Sequence, residues 1–328
     1  MSKPIDHLRT VPVFDHFQEE QLEALAASAN QVRFPAGVTV LQEGDDSFDS
    51  YVIREGRIRI KRETSYGSFN IAVLEPGELF GEASFIDRKP RSVDAITREA
   101  SELLLLNPVA LKTHAEKDAR FELALYWAFW RSLSKKLRST NDRLSRFFSE
   151  TGASSDLDGS DVDEPTGSFR IDLDRKRDLF QEQKLSSMEI NFLASLSKEK
   201  KYGPDEVLFR EGDPGDRMYI VLDGRVRISK NIPGAGEEAL AFMERGDYFG
   251  EMALIDNLPR SAEARAHEKG AVVLAIPRDV VEGLLDIHKV SSLRLLKILC
   301  QMVAERLREI DDKIVGWFIL AGGQGGNL

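Results

Sequence analysis

A chain of 328 residues with 42% apolar and 30% charged residues has room for two domains of ordinary size and excludes general disorder. Its net charge of −10 argues against a protein whose main task is gripping a nucleic-acid backbone, which needs a basic face. A single cysteine, Cys300, excludes an intrachain disulfide, and the five histidines share no metal-ligand spacing, so no metal site is expected.

The opening Met-Ser-Lys-Pro lacks the apolar core of a signal peptide, and no apolar run approaches the ~20 residues that span a bilayer. A soluble, cytoplasmic protein is therefore expected. From Asp15 to Asn30 apolar residues recur three and four apart, which predicts a helix. Short alternating segments follow, Arg57-Ile-Arg-Ile-Lys among them, broken by Glu-Gly and Pro-Gly, the pattern of strands joined by tight turns. Phe80 to Ser92 reads FGEASFIDRKPRS. An apolar strand, Leu103 to Leu106, ends at the Asn107-Pro108 breaker. A long helix then carries Phe129, Leu133, Leu137, Thr140, Leu144 and Phe148 as a stripe at three-four spacing. Its aromatic cluster, Tyr126, Trp127, Phe129 and Trp130, is expected to pack against core or helix, a lid over a bound base being the sharper alternative.

Ser149 to Ser168 holds six acidic residues and no basic one, so residues 149–169 are expected to form a disordered acidic linker. Beyond it the same grammar returns. A helical opening from Asp178 to Lys198 precedes Arg225-Val-Arg-Ile-Ser, then FGEMALIDNLPRS from Phe249 to Ser261, then the strand Val272 to Ile276 before Pro277. A last helix carries Leu296, Leu299, Val303, Leu307, Ile310, Ile314 and Trp317, with Cys300 as a buried small hydrophobe, and residues 317–328 are expected to form a flexible tail.

The two halves are copies. Gly44 pairs with Gly212 and Gly56 with Gly224 at a shift of 168, whereas the Phe-Gly-Glu segments are shifted by 169, which predicts one inserted residue in the hairpin between. A repeat this long is duplication of a whole domain.

In each copy Gly-Glu is followed by eight residues and then Arg-Ser. Gly81 and Gly250 let a ligand approach the backbone. Ala83-Ser84 and Met252-Ala253 suit the start of a helical turn whose amides favour an anion. Arg91 and Arg260 can clasp a phosphate through two parallel hydrogen bonds. Ser92 and Ser261 add a hydroxyl and an amide to the same phosphate. Glu82 and Glu251, unfavourable beside a bare phosphate, point to a ribose hydroxyl. The competing explanation, a surface Glu–Arg ion pair in each copy, is weakened because both copies keep Gly, Glu, Pro, Arg and Ser.

These residues resemble the cyclic nucleotide-binding domain family of catabolite activator proteins and regulatory subunits of cyclic-AMP-dependent protein kinase. The resemblance covers roughly 10–148 (domain A) and 170–316 (domain B). It implies an α+β fold of two tandem eight-stranded β-rolls of the double-stranded jelly-roll kind, each followed by a long helix. It implies that Glu holds the ribose 2′-hydroxyl and Arg the cyclic phosphate. The second copy follows the family's phosphate-binding cassette through Ala262. The first departs at Ala83-Ser84-Phe85 and has Val93 in the closing alanine place. The resemblance also places Thr140 and Asn141 near the purine edge of the first site, and Ile310 and Asp311 at the corresponding places of the second.

Eleven residues follow Trp317 and about a dozen precede the first helix, too few for a recognition helix or a kinase-docking segment; DNA binding is not expected, and no catalytic residues stand out. The expectation is a non-enzymatic sensor without cofactors. Its regulatory ligand is cyclic AMP in preference to cyclic GMP, and it acts on an unknown effector protein. The alternatives are a nucleotide-independent scaffold and a cyclic dinucleotide receptor. A homodimer through the long helices, or their pairing within one chain, stays open.

Overall fold

The computed structural model describes residues 4–64, 67–150, 197–232 and 236–320. The acidic linker from 151 onward, nearly all of the second helical opening and the tail beyond 320 lie outside the described residues.

The helix expected from Asp15 starts later. Gln18 caps α2 (Glu19–Ser28) through reciprocal hydrogen bonds with Gln21, and Ala29 already belongs to a strand. A short helix, α1 (Pro4–Leu8), precedes it. The strands are β1 (Ala29–Phe34), β2 (Thr39–Leu41), β3 (Ser50–Glu55), β4 (Ile58–Thr64), β5 (Gly67–Leu74) and β6 (Leu79–Phe80). After α3 (Glu82–Asp87) come β7 (Asp94–Thr97) and β8 (Ser101–Leu106), then α4 (Pro108–Ala115) and α5 (Ala119–Glu150). They form two four-stranded antiparallel sheets, ordered β1-β8-β3-β6 and β2-β7-β4-β5. This is the eight-stranded roll expected of the first copy.

Its inside is filled by Tyr51, Ile53, Ile58, Ile60, Leu74, Phe80, Ala95 and Leu103. The other face of the first sheet, with Val52, Leu104 and Leu106, packs on Phe14, Leu25, Phe121, Leu125 and Phe129 from the helices. Both faces being buried explains why Leu103 to Leu106 is continuously apolar instead of alternating. Asn107 then ends the strand and caps α4, its side chain accepting from the amides of Val109 and Ala110, with Pro108 in the first helical turn.

The second barrel has β9 (Lys198–Tyr202), β10 (Val207–Phe209), β11 (Arg217–Ile232), β12 (Gly236–Met243) and β13 (Tyr248–Phe249). There follow α6 (Met252–Ile255), β14 (Glu263–Pro277) and α7 (Arg278–Leu284). Here β11 and β14 run unbroken where the first copy has two strands each, so its six described strands form one sheet, yet the partners are those of the first copy. The inserted residue sits at a hairpin tip. Two residues separate the paired Thr64 and Gly67, whereas three separate Ile232 and Gly236.

The final helix, α8 (Leu293–Leu320), continues four residues into the expected tail, because Trp317 to Leu320 is apolar and the Gly322-Gly323 pair comes after it. Cys300 within it is fully buried, its thiol pushed up by burial and donating to the Tyr126 carbonyl at 3.4 Å. No helix among the described residues is long and apolar enough to cross a membrane.

Contacts divide the chain into two units that do not follow chain order. One comprises residues through Lys136 together with those from Ile287; the other runs from Leu137 to Asp286. The first barrel therefore packs with α8, and the second with the last part of α5.

Candidate functional site

The first cassette begins where β6 meets α3. Gly81 adopts φ 82°, and a Cβ there would lie 2.8 Å from the Asp49 carbonyl and 3.0 Å from Arg91 Nη1. Gly250 repeats this at φ 77°, 2.7 Å from Arg260 Nη1. Only glycine combines this conformation with so close an approach. The freed space is used by the arginine, not kept open for a ligand alone.

Arg91 is 4% exposed. Its Nε donates to Ser47 Oγ (3.0 Å), Nη1 to the Gly81 carbonyl (2.8 Å) and Nη2 to the Asp49 carbonyl (2.6 Å). Burial holds its pKa below the ordinary guanidinium value. Asp49 is itself fixed, its carboxylate accepting from Asn107 Nδ2 at 3.0 Å. Arg260, also 4% exposed and lowered by burial, donates to the carbonyls of Gly250 (2.5 Å) and Arg217 (2.6 Å) and lies over the Phe209 ring. Gly215 stands where the first copy has Ser47, and Arg260 Nε has no hydrogen-bond partner among the described residues.

Glu82 opens α3 at 1% exposure. It accepts from Ser132 Oγ at 2.8 Å and Lys136 Nζ at 2.5 Å, and Lys136 also donates to the Leu79 carbonyl at 2.7 Å. Glu82 and Arg91 are thus both buried, turned to different partners and not paired to each other, which removes the surface ion-pair explanation for the first copy. Glu251 is likewise buried, at 3%. Ser132 and Lys136 were not singled out in the sequence. Their signal was spacing: at i and i+4 they share one face of α5.

Ser84 (3%), Met252 (7%) and Ala253 (2%) are buried in the cassette helices, with Ala83, Ser92 and Ser261 half-buried. Two of the residues by which the first cassette departs from the family pattern, Ser84 and Phe85, have structural partners. Phe85 packs on Phe129 with ring centroids 4.9 Å apart, and Ser84 Oγ accepts from Arg308 Nη2 at 3.0 Å. The aromatic cluster is therefore packing: Phe129 and Trp130 are 0% and 1% exposed, and Trp130 lies 5.1 Å from Trp127.

The helix residues fall differently from the expectation. Asp311, assigned to the second site, lies in the unit of the first barrel. It is 6% exposed and its charged neighbours are Arg62, Asp312, Lys136 and Arg308. Burial pushes its carboxyl up to about 7 despite three nearby cations. Thr140 and Asn141, assigned to the first site, are buried in a stretch grouped with the second barrel. That stretch is tied there by Arg138 to Asp256 (2.8 Å) and Asp142 to Lys230 (3.1 Å). An alignment in chain order cannot see helices that pack on the other repeat's barrel.

Among the described residues no group of three or more His, Cys, Asp or Glu side chains is placed to hold a metal.

Comparison with known proteins agrees with this architecture. The family model described as "Cyclic nucleotide-binding domain" matches residues 31–118 and 199–288. The cAMP-dependent protein kinase regulatory subunit of Mycosarcoma maydis is 24% identical over 266 residues, covering 77% of this chain and 42% of its own length. The CRP-like cAMP-activated global transcriptional regulator of Mycobacterium tuberculosis is 30% identical over 130 residues, 39% of this chain and 56% of its own. The chain thus spans about half the length of these curated relatives. A solved structure, the regulatory domain of Toxoplasma gondii PKA with cAMP, aligns over 90% of this chain and 93% of its own at 20% identity and a TM-score of 0.33. With two matches that together cover more than half of its residues, and two α+β barrels to carry them, the chain belongs to the cyclic nucleotide-binding domain family.

Proposed function

We propose that the chain is a non-enzymatic sensor. It binds a cyclic nucleotide, cyclic AMP in preference to cyclic GMP, in each of two cassettes and signals to an effector protein through its long helices. One observation carries this reading: Arg91 is a buried guanidinium with no carboxylate within ion-pair distance among the described residues, held by three hydrogen bonds. Burying an unpaired charge costs several kcal/mol, and a ligand phosphate offsets that cost. Glu82 and Glu251 take the ribose hydroxyl, Ser92 and Ser261 the phosphate. Ala83, Ser84, Met252 and Ala253 shape the cassette helices around it.

The relatives named for cyclic AMP favour that nucleotide, and one of them is a kinase regulatory subunit, so a kinase is the first effector to try. The proposed setting is the cytoplasm, which suits a lone buried Cys300. Thr140, Asn141 and Asp311 are proposed to act at the purine end of the barrels with which they pack.

Arg91→Ala and Arg260→Ala are each expected to weaken binding at their own site by roughly 100-fold, the scale of losing a buried, hydrogen-bonded charge partner. Equilibrium dialysis with radiolabelled cyclic AMP separates the two sites. Full affinity at both sites in both variants would leave a nucleotide-independent scaffold or a dinucleotide receptor.

A further inference from the structure

The long helices carry a second set of charges, and both repeats use it alike. Arg308 on α8 donates through Nε and Nη2 to the two oxygens of Asp87 (2.8 and 3.1 Å), through Nη1 to the Pro90 carbonyl (2.8 Å) and through Nη2 to Ser84 Oγ (3.0 Å). Asp87 has no exposed side-chain surface. In the second unit Arg138 on α5 donates to Asp256 Oδ2 (2.8 Å) and to the Pro259 carbonyl (2.9 Å). The helix positions differ by 170 and the cassette positions by 169, so the two contacts are repeat equivalents. A turn further on, Asp312 meets Arg62, itself paired with Glu43 (2.9 Å); equivalently, Asp142 meets Lys230, paired with Glu211 (3.0 Å).

The two clasps are unequal. Glu305 on α8 adds a pair with Lys89 at 2.8 Å, so α8 offers negative, positive and negative charges at i, i+3 and i+7 to three opposite partners. Lys135 and Leu258 stand at the corresponding places of the other repeat and make no such pair. Where Arg308 bonds to Ser84, the second copy has Ala253, so Arg138 Nη2 has only the Asp256 carboxylate among the described residues, at 2.7 Å.

Arg308 therefore grips the cassette at both ends: the helix that begins with Glu82, and the carbonyl next to Arg91. We infer that Arg308 is a positioning residue. From a helix that follows the second barrel in sequence, it presets the spacing of Glu82 and Arg91 and so sets the affinity of the first site, while Arg138 does the same less completely for the second. Ser84 is there to complete the clasp, which accounts for its departure from the family pattern. A preset site spends less binding free energy on ordering the cassette, and by linkage a ligand in the first site stabilises the seating of α8 by the same factor. This rests on the proposed binding of cyclic nucleotide.

The test uses the full chain with Arg308→Lys, Arg308→Ala, Ser84→Ala and the Arg308→Ala/Ser84→Ala double variant. The readouts are cyclic AMP affinity at each site and amide hydrogen exchange over residues 82–91 without nucleotide. Arg308→Ala is expected to weaken the first site on the order of tenfold, with the second site unchanged as an internal control for folding. Lysine, which keeps the charge and loses the fork, restores only part. Ser84→Ala weakens the first site in the wild-type background and adds nothing to Arg308→Ala. Exchange over 82–91 speeds up in Arg308→Ala. Unchanged exchange and first-site affinity, or an equal loss at both sites, overturns the clasp. Faster exchange in a protein that binds no cyclic nucleotide instead overturns the proposed function and leaves the clasp as a structural strap.

Discussion

At the scale of single residues, the structure spends charge in places where burial makes it expensive. Arg91 and Glu82 are 4% and 1% exposed, and the protein supplies oriented dipoles to the first and Lys136 with Ser132 to the second. Asp311 has no such support: its Oδ1 lacks a hydrogen-bond partner among the described residues and its carboxyl is pushed up to about 7. The native protein then keeps a proton that the unfolded chain releases near the ordinary carboxylate value of 3.8. Its contribution to stability is complete at low pH and is lost as pH rises from about 4 to about 7. Burial lowers His7 and His16, which act in the opposite sense over part of this range, so the comparison has to be made between variants. Asp311→Asn is expected to flatten the fall in Tm between pH 5 and pH 8 relative to the wild type. An identical slope would mean that Asp311 does not titrate there.

Elements turn these residues into a site because each is anchored twice. Asn107 caps α4 and holds the Asp49 carboxylate, while the Asp49 carbonyl holds Arg91. Asn107→Ala should therefore cost about 1 kcal/mol through the cap alone. It should also loosen Arg91, seen in urea unfolding as a lower midpoint and in first-site affinity as a loss; a change in neither would separate the cap from the site. Much of this scale was legible in the sequence. The FGE…PRS repeat located both cassettes, and the 168-to-169 change of shift located the longer hairpin, because a tight turn records an insertion as one residue at its tip. The stripes on α5 and α8 marked buried faces over most of their described length: Phe129, Leu133 and Leu137 are at most 1% exposed, as are Leu296, Leu299, Val303 and Ile310, while Leu307 and Ile314 are half-buried and the side chains of Leu144, Phe148 and Trp317 lie outside those described. A stripe tells that a face is covered and not by which barrel, and the resemblance followed in chain order put Asp311 with the second site, whereas it lies in the unit of the first barrel. The informative signal was the charge spacing, Arg138 to Asp142 and Arg308 to Asp312, which matches charges on the other repeat's cassette and strand. The support of Arg91 by Ser47 and Asp49 was not legible, since one carbonyl and one hydroxyl from a loop leave no pattern of residue types.

At the scale of the whole chain, duplication produced two barrels with the same ladders and unequal sites. The first has Ser47 on Arg91, Ser84 in its cassette and a clasp with an extra ion pair. The second keeps the family's cassette sequence more fully, has Ala253 in place of Ser84, and leaves Arg260 Nε without a hydrogen-bond partner among the described residues. On the proposed function, two sites supported so differently are expected to differ in affinity and to give a graded response. The central claim, that both cassettes take a cyclic nucleotide, is tested most directly by calorimetric titration of ligand-stripped protein with cyclic AMP and, separately, cyclic GMP. The account predicts saturable heat at two ligands per chain with two resolvable affinities, and stronger binding of cyclic AMP. No heat from either nucleotide would contradict it.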